Sequence, residues 1–210
     1  MSIACVIIVD IKGSTMLGNN RRRQVQRNIF DILGQLKQRF ADDIVGADMT
    51  LGDEFQIIFN TPEKALDIYE FLTSQLKTPF YTGVGVGSIE SFTDKKSPTT
   101  MYGEAFYRAR DAVNNAKKKQ IDITFATGNR KLDFELNTIT ELTLYIKKKW
   151  TERQQTIINY LKQHDTTTQK EAAKHFRISE TAISKTLKTS GYETIKKATQ
   201  LTKTLLAQTK

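Results

Sequence analysis

The sequence predicts an α/β (α+β) protein, with a ferredoxin-like sandwich followed by a small all-α domain. Three observations support this prediction. Strand and helix patterns alternate up to about residue 126, two of the strands are joined by a short turn, and residues 151–210 carry only helical patterns. A length of 210 residues allows one sizeable core and a small second domain. We place the boundary after Lys149, which gives domains 1–149 and 150–210.

The first domain follows the ferredoxin-like order of strand, helix, hairpin, helix and strand. A continuous apolar run predicts a buried first strand, and apolar residues at helical spacing predict the helices. Thr61 followed by Pro62 is typical of a helix N-terminus, and the turn at Gly52 and Asp53 predicts an antiparallel hairpin. A surface loop is expected at 93–98. The expected strands cover about 3–9, 43–50, 54–60, 80–89 and 121–126, and the expected helices about 20–41, 62–77, 103–119 and 137–149.

Two carboxylates lie at the ends of predicted strands. Asp10 follows the strand at 3–9, and Asp53 precedes the strand at 54–60. If those strands are neighbours, the carboxylates meet at one edge of the sheet, where oxygen ligands and nucleotide phosphates suit Mg²⁺ or Mn²⁺. Gly13, Ser14 and Thr15 come after Asp10, in the pattern of a backbone loop that binds anions. Either Asp by itself would be typical of a turn former, because its side chain bonds local backbone N–H groups. Together they predict a metal and phosphate site.

The basic composition of the chain indicates that it binds an acidic partner. The chain has a net charge of +9, and residues 151–210 hold eleven Lys or Arg against five Asp or Glu, a net charge of +6. The longest apolar run, 3–9, is too short to span a bilayer and has no basic leader, so we expect a cytoplasmic protein without membrane association. The chain has a single cysteine, Cys5, which lies in a predicted buried strand. With only one cysteine, a disulfide within the chain and a Cys-rich zinc site are excluded.

In the second domain, apolar residues at helical spacing predict four helices, at about 152–163, 168–175, 180–189 and 192–208. The second and third resemble the helix-turn-helix domains of bacterial regulators, with the turn at Arg177-Ile178-Ser179 and Ser179 as the cap of the third helix. The outward polar residues of this helix pair are expected to meet bases and phosphates of DNA. These residues are Gln169, Glu180, Thr181, Ser184, Lys185 and Lys188. The alternative is a helical dimerisation or docking module with a solvated basic face.

Two segments of the first domain resemble the class III nucleotide cyclases and the GGDEF cyclases, which share a palm domain. They are Val9-Asp10-Ile11-Lys12-Gly13-Ser14-Thr15 and Gly52-Asp53-Glu54-Phe55. The resemblance implies a palm/cyclase-type sandwich that binds Mg²⁺ or Mn²⁺ and a nucleoside triphosphate. It also implies a homodimer through the palm domain, because cyclase sites form between two protomers.

The same resemblance assigns roles to individual residues. Asp10, Asp53 and the backbone carbonyl of Ile11 match the metal ligands, and Lys117 matches a cation that grips phosphates in the last GGDEF helix. The implied contacts to nucleotide and phosphate are Lys12, Gly13, Ser14, Thr15, Gly52, Glu54 and Lys117. Which residues, if any, are catalytic stays open.

Across the whole chain, four motifs together are similar to the SatD family of bacterial proteins. They are Asp-Ile-x-Gly-Ser from Asp10, Gly-Asp-Glu-Phe from Gly52, the segment 103–112, and Trp150-Thr151-Glu152-Arg153-Gln154.

The sequence also departs from the cyclases. Met49 stands where class III adenylyl cyclases have a base-selecting Lys, and Leu51 replaces the first glycine of the GGDEF signature. Counting from Gly103, Tyr107 and Asp111 stand where the cyclases have an Asn and an Arg that steady the transition state. An acid at that position would repel developing negative charge.

The resulting hypothesis is a bacterial regulatory protein in which a nucleotide- and metal-binding palm domain is coupled to a DNA-binding helix-turn-helix domain. Two alternatives stay open. One is an active Mg²⁺- or Mn²⁺-dependent nucleotidyl cyclase or oligonucleotide synthase, and the other is a scaffold with a vestigial site.

Overall fold

The computed structural model describes residues 2–50, 52–91, 97–164 and 167–209. Leu51 and most of the expected loop, 93–96, lie outside these ranges. The chain divides into two compact units, the first formed by residues 1–138 and 202–210 and the second by residues 139–201.

The first unit contains a mixed sheet with helices. The strands of the described residues are β1 (Ser2–Ile11), β2 (Ile44–Met49), β3 (Glu54–Phe59), β4 (Phe80–Ser91), β5 (Met101–Tyr102) and β6 (Ile123–Ala126). The central order is β2-β3-β1-β4 with antiparallel neighbours, while β6 pairs with β4 in parallel and β5 pairs with the end of β4. This order is the ferredoxin-like arrangement, so the fold class expected from the sequence is confirmed.

Eight α-helices are formed by the described residues. They are α1 (Asn19–Arg39), α2 (Ala65–Gln75), α3 (Glu104–Lys119), α4 (Arg130–Lys147), α5 (Glu152–Gln163), α6 (Gln169–Phe176), α7 (Glu180–Thr189) and α8 (Tyr192–Ala207). None of the helices in these ranges is long and apolar enough to cross a bilayer.

Three expected boundaries need correction. β1 runs on to Ile11, because Ile11 pairs with Phe80 of β4, so Asp10 lies inside the strand rather than after it. The helix expected from residue 137 begins at Arg130, since the side chain of Asn129 accepts bonds from the backbone N–H groups of the first turn.

The third correction concerns the start of α2. Thr61 makes no side-chain cap bond, and Pro62–Lys64 form a 3₁₀ turn before the helix begins at Ala65. Proline still marks this N-terminus, because its missing N–H needs no partner in the first turn.

Helix α3 packs directly on β4, and this contact determines where its polar side chains lie. A Cβ atom added at Gly85 would come within 2.2 Å of the backbone of Ala105 and Ala109, and one at Gly83 within 2.2 Å of Val113 N. Alternate β1 residues pack against the same helix, because successive strand side chains point to opposite faces. The buried cluster at this interface includes Ala4, Val6, Ile8, Ala105, Ala109, Val113 and Ala116.

The second unit has its own core, at which α5, α6 and α7 meet. The buried residues are Ile157, Ile158, Ala172, Ala173, Ile183 and Leu187. The turn between α6 and α7 places Arg177 in the left-handed region at φ 52°, and Ser179 then caps α7 by accepting a bond from Ala182 N–H. The four expected helices of this region are therefore present.

Candidate functional site

The register between β1 and β3 brings acidic residues to one edge of the sheet. Asp10 is the Cα partner of Glu54, and Asp53 directly precedes Glu54 at the end of the hairpin turn. All three side chains are only partly exposed. The expectation that the two strands are neighbours is therefore met, and three carboxylates occupy this edge.

Two cations of α3 neutralise two of these carboxylates. The Lys117 ammonium donates to Asp10 Oδ2 at 2.5 Å. The Arg110 guanidinium donates to both carboxylate oxygens of Glu54, with Nη2 at 2.7 Å from Oε1. Lys117 follows Arg110 by seven residues, which is close to two helical turns, so both side chains leave the same face of α3.

Arg110 is the main residue that the sequence analysis missed. Counting from Gly103 selected Asp111, but Asp111 is exposed on α3 and its neighbour Arg110 supplies a cation to the site. The acid expected at this position therefore does not leave the cluster without a cation from this part of α3. The seven-residue spacing from Lys117 was the signal that could have identified Arg110.

Glu54 is held as a carboxylate. Burial raises its pKa, but the hydrogen bonds and charge of Arg110, with hydrogen bonds from Thr50 and Gln56, outweigh burial and lower the pKa. The hydrogen bond to Glu54 raises the pKa of Arg110 against the opposing effect of burial, and the charges of Glu54 and Asp10 raise it further. Arg110 thus interacts with two carboxylates of the same cluster.

Asp53 differs from the other two acids. Its Oδ2 atom is buried and has no hydrogen-bond partner in the described ranges. A buried carboxylate oxygen without a donor is costly, so such an atom calls for an explanation such as a site for an ion or ligand.

The donor set fits a cation that shares its shell with a nucleotide. Within the described ranges, no group of three or more His, Cys, Asp and Glu side chains is arranged to hold a metal ion. Mg²⁺, however, is usually bound by one or two carboxylates, with phosphates and water as its remaining ligands. The unpartnered oxygen of Asp53 beside the strand pair of Asp10 and Glu54 is consistent with that mode.

The loop after β1 adjoins this cluster along the chain. Gly13 adopts the left-handed region at φ 67°, and Ser14–Met16 form a 3₁₀ turn. Helix α1 contacts both this loop and the hairpin, because Arg22 donates to Ser14 O at 3.4 Å and Gln26 donates to Gly52 O at 2.7 Å. Neither position of α1 is marked by a motif in the sequence.

Lys12 is engaged elsewhere. Its ammonium donates to Asp122 at 2.7 Å and lies 4.1 Å from the ring centroid of Tyr81. Among the residues expected to contact phosphates, Glu54 and Lys117 thus join the acidic cluster, whereas Lys12 is paired with a different carboxylate.

The polar residues of α6 and α7 that were expected to contact DNA are exposed. The exposed residues include all of those assigned to DNA contacts: Gln169, Glu180, Thr181, Ser184, Lys185 and Lys188. Ile183 and Leu187 of α7 are buried, so this helix has one core face and one polar face. Lys174 of α6 and Arg177 of the turn are also exposed.

Comparisons with known proteins give a family and distant similarity to solved structures. The family model for SatD matches residues 4–206 of this chain. No curated protein matches it. Among solved structures, the crystal structure of the adenylyl cyclase CyaB from P. aeruginosa is similar with a TM-score of 0.34 and 14% identity, covering 51% of this chain and 69% of that one.

Proposed function

The chain belongs to the SatD family, and we propose that it is a regulatory protein that binds a nucleotide with Mg²⁺ or Mn²⁺ in its first unit and DNA through its second. The observation that carries the nucleotide proposal is the buried, unpartnered Oδ2 of Asp53 next to the Asp10–Glu54 strand pair. The unpartnered oxygen supports a site for a divalent cation. The two cations nearby support binding of the nucleotide phosphates.

The roles in this site follow from the chemistry of its side chains. Asp10, Asp53 and the carbonyl of Ile11 would hold the divalent cation, which when bound neutralises phosphate charge. Lys117 and Arg110 provide N–H donors for phosphate oxygens, and Arg110 can bind two oxygens at once. The left-handed Gly13 supports a loop whose backbone N–H groups face an anion.

Turnover of the nucleotide is a second candidate, and one observation favours it. Arg110 places a cation in the acidic cluster, where a nucleotidyl cyclase or oligonucleotide synthase needs charge stabilisation of the transferring phosphate. Against this, Met49 cannot supply the charged hydrogen bond with which the cyclases select adenine. We therefore propose binding as the primary activity.

The test is a ligand-binding series on the full chain. Nucleoside triphosphates are titrated by calorimetry and thermal shift with Mg²⁺, with Mn²⁺ and with a chelator, and the reaction mixtures are analysed for pyrophosphate. We expect binding only with the divalent ion, and its loss in Asp10→Asn and Asp53→Asn. Asp111→Asn is the matched control, because it removes the same charge from an exposed position on α3. Equal binding in chelator would refute the metal site, and pyrophosphate release would establish turnover.

The DNA proposal rests on the second unit. The helix pair α6 and α7, the cap at Ser179 and the exposed face with Lys185 and Lys188 support insertion of α7 into a major groove. The net charge of +6 on residues 151–210 supports a polyanionic partner.

A further inference from the structure

Building on the proposed nucleotide and metal site, we propose that Lys117 is an exchangeable counter-ion. Without ligand its ammonium neutralises Asp10, and when a divalent cation binds Asp10 the ammonium transfers to a phosphate of the nucleotide. The cation and the nucleotide then bind cooperatively, because one lysine links their two sites.

The charge of the cluster supports this exchange. Lys117 and Arg110 are paired with Asp10 and Glu54, whereas the adjacent Asp53 has no cationic partner in the described ranges, which leaves one uncompensated negative charge at this edge of the sheet. A divalent cation that approaches Asp10 meets the ammonium of Lys117 already bonded at Oδ2. Two cations at one carboxylate repel each other, so the metal ion by itself binds weakly.

The two cations of α3 differ in how firmly they are held. Arg110 makes two hydrogen bonds to Glu54, whose side chain is 13% exposed and also accepts a bond from Thr50. Lys117 makes one bond to Asp10, whose side chain is 24% exposed. Bidentate Arg pairs are geometrically fixed, whereas Lys is a point charge on a flexible stem. Lys117 is therefore the cation that moves, and Arg110 stays on Glu54.

A substitution of Lys117 should change the two affinities in opposite directions. Lys117→Met removes the competitor at Asp10, so the affinity for Mn²⁺ alone rises, by about fivefold or more. The same variant loses a phosphate donor, so the affinity for nucleotide at saturating Mn²⁺ falls by a similar factor. Lys117→Arg keeps the charge and can pair with both oxygens of Asp10, so it should bind Mn²⁺ alone no more tightly than the wild type.

The control is Lys118→Met, which removes the same charge from an exposed neighbouring position on α3. The experiment measures free Mn²⁺ by electron paramagnetic resonance during titration of the ligand-free protein, and nucleotide binding by calorimetry with a non-hydrolysable triphosphate. Circular dichroism melts of every variant verify folding. Opposite changes in Lys117→Met, with neither change in Lys118→Met, would support the exchange.

Two results would overturn the proposal, and they are distinguishable. If wild-type protein binds nucleotide with Mn²⁺ but Lys117→Met does not bind Mn²⁺ more tightly, then Lys117 is no counter-ion while the nucleotide site stands. If wild-type protein binds neither Mn²⁺ nor nucleotide, the proposed function and the exchange are both wrong.

Discussion

At the scale of single residues, the acidic cluster combines two satisfied carboxylates with one that is unsatisfied. Glu54 and Asp10 have cationic partners, whereas a buried oxygen of Asp53 has none in the described ranges. Functional sites often retain such locally unfavourable groups because the ligand, rather than the fold, satisfies them. Two predictions follow from this difference.

The first concerns Asp53→Asn. The substitution should raise the free energy of unfolding of the ligand-free protein by about 1 kcal/mol, since a buried carboxylate oxygen without a hydrogen-bond donor is costly. Urea denaturation measures this change, and Asp111→Asn, at an exposed position, should leave stability nearly unchanged. A marked loss of stability in Asp53→Asn would mean that the carboxylate has a structural partner.

The second concerns pH and Glu54. Its pKa in the folded protein lies below the ordinary value of 4.5, so its stabilising contribution is complete above that value and is lost as pH falls through the folded pKa. Glu54→Gln should therefore be less stable than the wild type at pH 7, and the difference should shrink as pH falls below about 4.5. Thermal melts between pH 7 and pH 3 provide the measurement, and a difference that is constant with pH would contradict the assignment.

At the scale of elements, the position of α3 depends on glycine. Gly83 and Gly85 of β4 let the helix backbone approach the strand more closely than any side chain would permit. This approach places Arg110 and Lys117 beside the carboxylates of β1 and β3. In α7, one face of the helix packs into the core of the second unit, and the opposite, exposed face carries the residues proposed to contact DNA.

We expect Gly85→Ala to destabilise the protein by about 3 kcal/mol, because the new methyl group would overlap backbone atoms of α3, which cannot rotate away. Gly34→Ala is the comparison, since Gly34 lies inside α1 with nothing within 4 Å of an added Cβ. That variant should gain about 0.5–1 kcal/mol from reduced flexibility of the unfolded chain. Chemical denaturation of both variants tests the contrast, and a mild effect of Gly85→Ala would show that α3 can shift.

For α7 we expect the double variant Lys185→Ala and Lys188→Ala to weaken binding to duplex DNA. Each phosphate that the protein no longer neutralises keeps its condensed counterion, so the slope of log affinity against log salt should decrease by about 2. Both side chains are exposed, so stability should be unchanged. Fluorescence anisotropy with genomic fragments at several salt concentrations measures the slope. If the wild-type chain shows no salt-dependent binding, the second unit is a docking module.

At the scale of the whole molecule, the boundaries between the compact units fall within two helices. Both α4 and α8 contribute residues to the first unit and to the second. The proposed regulation requires that nucleotide binding in one unit changes DNA affinity in the other, and thermodynamic linkage makes any such coupling reciprocal.

We therefore expect Mn²⁺ with nucleotide to change DNA affinity by about tenfold, and DNA to change nucleotide affinity by the same factor in the same direction. Asp53→Asn should remove the coupling but leave DNA binding in the absence of nucleotide unaltered. Calorimetry in both orders of addition measures the two factors. Unequal factors would point to a linked reaction such as dimerisation, and equal affinities with and without nucleotide would exclude regulation by this route.

The sequence by itself determined the order of elements, the antiparallel hairpin and the cap at Ser179. These features depend on local chemistry, since apolar periodicity, turn residues and caps act over a few positions. Most boundaries of the strands and helices were predictable for this reason. The early start of α4 was not, because it depends on the side chain of Asn129 rather than on an apolar pattern.

Only the tertiary structure decided which charges meet. Arg110 and Glu54 are 56 residues apart, and Lys117 and Asp10 are 107 apart, so their pairing depends on strand register and on how α3 rests on β4. Counting along the sequence led to Asp111, whereas the site contains Arg110, one position earlier. Adjacent positions on a helix point about 100° apart, so this difference of one residue changes which side chain meets the site. The same packing paired Lys12 with Asp122 and left Asp53 without a partner in the described ranges. The sequence motifs therefore indicate which acidic residues lie at the site, whereas long-range packing determines which cations pair with them.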